Sequence, residues 1–77
     1  MIGRFAVSTA GRDKGRVFMI IGTPDENLVM LSDGSLRRLE KPKRKKLKHI
    51  QLLANDPVAI PETNKKLTEL IKNISQS

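Results

Sequence analysis

The chain has no cysteine, tryptophan or tyrosine and only two phenylalanines. Without cysteine there is no disulfide framework, no thiolate zinc site and no thiol nucleophile, and nothing argues for an oxidising compartment. A cytoplasmic location is expected. Scarce aromatics remove the platform on which single-strand binders stack bases; Phe5 and Phe18 both lie in apolar runs and read as core. Long apolar runs are missing too. The longest, residues 17–21, falls far short of the roughly 20 residues that span a bilayer, so no membrane partner is expected. Acidic residues are outnumbered, eight Asp plus Glu against 15 Lys plus Arg in 77 residues, for a net charge of +7. So short a chain builds one small domain, expected as a monomer, and its charge favours a polyanionic partner.

That excess sits in one place. Residues 37–48 hold eight bases, Arg37, Arg38, Lys41, Lys43, Arg44, Lys45, Lys46 and Lys48, against the single acid Glu40. The rest of the chain balances, seven bases against seven acids. Segregation of this kind reads either as a solvated, flexible loop or as a phosphate-binding segment. Pro42 lacks an N–H and disfavours helix before it, so residues 40–46 are expected as an extended excursion presenting bases to solvent.

The first fifty residues punctuate like a small all-β domain. Residues 4–9 alternate Phe5, Val7 and Thr9 with Arg4, Ala6 and Ser8, a strand with one wetter face. Residues 16–22 are apolar on both faces, as a central strand covered on two sides would be. Thr23-Pro24-Asp25-Glu26-Asn27 reads as a turn, followed by a strand at residues 28–32. Asp33-Gly34 then suits a type I′ hairpin turn leading into residues 36–39. On such a strand Arg37 and Arg38 would project to opposite faces. Residues 47–53 are expected as a closing strand. Beyond Pro57, Leu67, Leu70, Ile71 and Ile74 recur at helical spacing, with Thr63 as N-cap, and predict an amphipathic helix that packs back on the barrel. The expected division is residues 1–54 as the β domain and 55–77 as linker plus helix.

Residues 5–17, Phe-Ala-Val-Ser-Thr-Ala-Gly-Arg-Asp-Lys-Gly-Arg-Val, resemble the KOW motif, a strand-loop-strand element. The continuation through residues 18–22 and the basic run into His49-Ile50-Gln51 is similar to KOW-type large-subunit ribosomal proteins of archaea and eukaryotes, and to short bacterial RNA-binding proteins related to them. The resemblance covers roughly residues 2–53 and leaves the C-terminal helix unmatched. Many KOW motifs carry a further glycine where this chain has Phe18 and Met19, which points away from transcription factors. What the resemblance implies is a mainly β fold, a small SH3-like barrel of about five strands, that binds ribosomal or other structured RNA. Gly11 would shape the loop, and Arg12, Lys14 and Arg16 match its basic positions.

The residues support that reading on their own terms. A loop flanked by Gly11 and Gly15 offers backbone N–H groups and cations at one tip, and the run from Arg37 to Lys48 adds about six to eight phosphate contacts. His49, the only histidine, is either a polar strand residue or a phosphate or base contact. The expected partners are structured RNA, ribosomal RNA foremost, and neighbouring ribosomal proteins. A KOW-type protein-interaction adaptor in transcription or translation is the alternative, and an architectural DNA binder a third. No nucleophile and base, metal cluster or phosphate loop can be assembled, so an enzyme is not expected, and no cofactor is called for.

Overall fold

In the computed structural model, which describes residues 1–75, the elements run β1 (Phe5–Ser8), β2 (Val17–Asp25), β3 (Leu28–Ser32), β4 (Lys43–Lys46), a 3-10 turn (Leu47–His49), β5 (Ile50–Leu52) and α1 (Asn64–Ser75). The strands form a single antiparallel sheet in the order β4-β3-β2-β1-β5. Laid flat, such a sheet would hold its two edge strands roughly 19 Å apart. Yet β4 and β5 are joined by three residues in a 3-10 turn, which advances only about 6 Å. The sheet therefore has to curl until its edges approach, which produces the small barrel that the resemblance implies.

Curling makes two cores. Ala6, Phe18, Ile20, Val29 and Leu31 fill the inside, with Leu47, Ile50 and Leu52 packed against them. Phe5, Met19 and Leu67 form a second cluster on the outer face, joined by Val17, Ile21, Leu39, Leu70, Ile71 and Ile74. This explains the doubly apolar second strand: Phe18 and Ile20 face inward while Met19 lies under the helix. Both phenylalanines are core, Phe18 fully buried and Phe5 nearly so. The helix begins as its sequence suggests, with Thr63 Oγ1 accepting the Lys66 N–H at 3.2 Å. No helix among the described residues is long and apolar enough to cross a membrane.

Several expectations are corrected. The wetter face of β1 does not exist, because Ala6 and Ser8 are buried inside the barrel. Thr23, Pro24 and Asp25 belong to β2, whose register slips between Ile20 and Gly22 and again between Gly22 and Asp25. Such irregularities interrupt the ladder and so accommodate a proline. The hairpin turn at Asp33-Gly34 is absent. Gly34 has φ +79° but Asp33 does not leave the ordinary region, and β3 pairs instead with β4, Leu31 opposite Lys43 through Leu28 opposite Lys46. Arg37 and Arg38 therefore lie on a loop, not a strand, and half of the expected solvent excursion is an edge strand. The closing strand is shortened by the 3-10 turn.

The packing of α1 is testable at Leu67, among the described residues the one helix side chain buried completely. Leu67→Ala is expected to cost about 2–5 kcal/mol, read as a lowered urea midpoint at unchanged slope. The same substitution at Leu70, half-buried, is expected to cost less.

Candidate nucleic-acid interface

Strand alternation decides which bases of the cationic run can meet a ligand. Residues directly opposite one another in an antiparallel pair share a face. Lys45 lies opposite Val29 and Lys43 opposite Leu31, both core residues, so these two lysines project to the barrel side. Arg44 and Lys46, opposite Met30 and Leu28, project outward.

The Lys45 stem follows the apolar interior and its ammonium emerges beneath the glycine-flanked loop. There Nζ donates to the Ala10 carbonyl at 2.6 Å and to Asp13 Oδ1 at 2.7 Å. Asp13 Oδ1 also accepts the Ser8 hydroxyl at 3.0 Å. Both side chains are nearly shielded from water, Lys45 8% and Asp13 6% exposed. Burial alone raises the Asp13 pKa, but the hydrogen bonds from Lys45 and Ser8 and the Lys45 charge outweigh it and hold the carboxyl below 3.8. The loop is also tied to the 3-10 turn through the Thr9 N–H on the His49 carbonyl at 2.9 Å.

Asp33 plays the same part for residues 33–42. Its Oδ1 accepts the N–H of Ser35 at 3.0 Å and of Arg37 at 2.8 Å, and its Oδ2 takes the Arg16 guanidinium at 3.0 Å. Burial pushes its pKa up; the Arg37 and Ser35 N–H groups and Arg16 together bring it below 3.8. The helix closes over this loop. Asn64 Oδ1 accepts the Leu39 N–H at 2.7 Å, and Thr68 Oγ1 donates to the Asp33 carbonyl at 3.2 Å. A Cβ on Gly34 would run into the Asn64 carbonyl, so glycine is required there for approach as well as for φ.

The thirteen residues expected at the interface therefore fall into groups. Arg12, Lys14, Lys41, Arg44, Lys46 and Lys48 are exposed, as is Gly11, which takes φ +84° at the loop tip. Lys43, Arg37 and His49 are half-buried. Arg16 and Arg38 are exposed but paired, with Asp33 and Glu40. Lys45 alone is withdrawn, its ammonium committed to Asp13. The clamp seats the loop bearing Arg12 and Lys14 at the end of the Lys45 side chain, on the barrel side of β4. What residue types alone did not disclose are the two organising acids, Asp13 and Asp33. The available signal was an aspartate placed between two bases in a glycine-flanked loop. Among the described residues no group of three or more acidic or histidine side chains is placed to hold a metal ion.

No protein-family model matches the sequence. Among curated proteins, the large ribosomal subunit protein eL14 of Staphylothermus marinus is 32% identical over 83 residues, covering 95% of this chain and 86% of that protein.

The two lowered carboxyl pKa values fix a pH dependence. A carboxylate whose folded pKa lies below its unfolded value of about 3.9 adds stability above that value and loses it as the pH falls through the folded one. Thermal melts from pH 7 to pH 2 should therefore show the midpoint dropping below about pH 4. Asp13→Asn, which leaves the Lys45 charge buried and unpaired, is expected to lose about 3–5 kcal/mol at pH 7 and to show a shallower acid limb.

Proposed function

This chain belongs to the eL14 family of large ribosomal subunit proteins, and from that premise we propose that it is a non-catalytic, cytoplasmic RNA-binding protein of the large ribosomal subunit. It holds the sugar-phosphate backbone of folded ribosomal RNA. The contacts assigned to it are Arg12, Lys14, Lys41, Arg44, Lys46 and Lys48, with the Gly11 backbone at the loop tip and Lys43, His49, Arg16, Arg37 and Arg38 at the margin.

The observation that carries this reading is the separation of committed from uncommitted charge. Three ion pairs occur among the described residues, and they use Arg16, Arg38 and Lys45. The six principal cations just named form none of them. A surface that keeps so many bases together and unneutralised has strong self-repulsion, which a polyanion relieves. With both phenylalanines in the cores, stacking on aromatic rings is closed to this protein, and recognition falls to phosphate and 2′-hydroxyl contacts on folded RNA. Neighbouring ribosomal proteins are the second class of contact in such a setting.

Counterion release makes the proposal quantitative. Six phosphate contacts would give a log–log dependence of affinity on salt of about −4 to −5 for structured ribosomal RNA. Replacing Arg12 and Lys14 together by alanine is expected to weaken binding and to reduce the magnitude of that slope by about 1.5 to 2, with the urea midpoint unchanged. A slope near zero for the wild-type chain, or large-subunit binding that survives both high salt and removal of these bases, would contradict it.

A further inference from the structure

The turn between β2 and β3 and the 3-10 turn enclose a concavity of about 680 Å³, lined by Asp25, Asn27, Leu28, Lys46, Leu47 and Lys48. That size is within the range of small-ligand clefts, ~300–1,000 Å³. Local hydrogen bonds fix its walls. The Leu47 N–H donates to the Asn27 carbonyl at 2.8 Å, and Asp25 Oδ1 accepts the Asn27 N–H at 2.7 Å. The register sets Leu28 opposite Lys46, hence on the same face.

Its chemistry is ordered. Lys46 and Lys48, both exposed, come from β4 and the 3-10 turn. Leu28 and Leu47 supply apolar surface, and Asp25, the last residue of β2, and Asn27, in the β2–β3 turn, complete the lining. Backbone recognition of RNA would use the two lysines alone and leaves the leucines and the turn residues without a part. A fitting ligand has an anionic group at one end, an apolar body and hydrogen-bonding groups at the other. A nucleotide has these in that order: phosphate, ring faces, base edge. An acidic peptide would satisfy the lysines but bring like charge towards Asp25.

We infer that this concavity receives one unstacked nucleotide of the bound RNA, its phosphate on Lys46 and Lys48, its ring against Leu28 and Leu47, and its polar edge on Asp25 and Asn27. The inference rests on the RNA-binding reading and adds base discrimination to it. The aliphatic pair takes the place of the aromatic platform that the sequence lacks. A carboxylate only accepts hydrogen bonds; the exocyclic amino groups of adenine, cytosine and guanine offer it donors, whereas the one donor of uracil, N3–H, lies between two carbonyl oxygens that repel it, so the site prefers the amino-bearing bases.

The test is a titration of the full chain with each of the four ribonucleoside 5′-monophosphates, followed by the methyl resonances of Leu28 and Leu47, with ribose 5-phosphate as the baseless control. Expected are methyl shifts with the amino-bearing nucleotides, weaker shifts with uridine 5′-monophosphate and none with ribose 5-phosphate. Asn27→Ala keeps the backbone groups that hold the turn and should weaken the best nucleotide by about three- to tenfold, the effect of one neutral hydrogen bond. Methyls unmoved by all four nucleotides, or moved equally by ribose 5-phosphate, overturn the site. The salt dependence of structured-RNA binding, measured in parallel, separates the two failures. Normal RNA binding with silent methyls sinks only this inference, whereas loss of both sinks the RNA-binding reading beneath it.

Discussion

An ammonium and a carboxylate 2.7 Å apart, each more than nine-tenths shielded from water, hold the loop at residues 10–16 against the edge of a barrel. Bringing both charges out of water is costly, and their attraction repays that cost only when further hydrogen bonds complete the shell. Here the Ala10 carbonyl accepts from Lys45 and the Ser8 hydroxyl donates to Asp13 Oδ1, while the buried Asp13 Oδ2 is left without a hydrogen-bond partner. The consequence reaches beyond Lys45. With the loop seated, the position of Arg12 and Lys14 relative to β4 is fixed, so the arrangement of the cations depends on one of the lysines being committed to Asp13.

The same economy of parts recurs at Asp33 and in the helix. A curled sheet of five short strands encloses too little apolar volume to stabilise a domain of this size alone. The helix adds a second core on the outer face through Leu67, Leu70, Ile71 and Ile74, and through Asn64 and Thr68 it pins the loop that Asp33 organises. Residues 33–42, which carry Arg37, Arg38 and Lys41, are therefore anchored at both sides rather than left as a solvated tether. Ordering the loop before binding lowers the entropy that the RNA contact would otherwise have to overcome.

Much of this fold was legible where periodicity speaks. β3 was read with its observed bounds, the second strand was read as covered on both faces, and the Leu67, Leu70, Ile71, Ile74 stripe announced the helix and its docking. The failures share a cause. Lys-Arg-Lys-Lys has no apolar alternation, so β4 exists only through its pairing with β3, a tertiary fact. Asp33-Gly34 resembles a hairpin turn, but the aspartate side chain was needed to cap the following loop and only the glycine turned. The KOW resemblance and the likeness to eL14 agree on the family. Neither separates Lys45 from its neighbours; that follows from register, which puts odd-numbered bases of β4 inside and even-numbered ones outside.

The direct test compares Lys45→Met with Lys46→Met, two neighbours of equal charge that this account assigns opposite duties. For each, the urea midpoint and the salt slope of binding to structured ribosomal RNA are measured, with a stabilising osmolyte present if Lys45→Met needs it to fold. Lys45→Met should lose much of its stability, and with the loop unseated its slope falls by no more than the roughly two units that Arg12 and Lys14 supply. Lys46→Met should keep its stability and lose about one unit of slope. Equal effects at the two positions, or a stable Lys45→Met protein whose slope has dropped, would contradict the account.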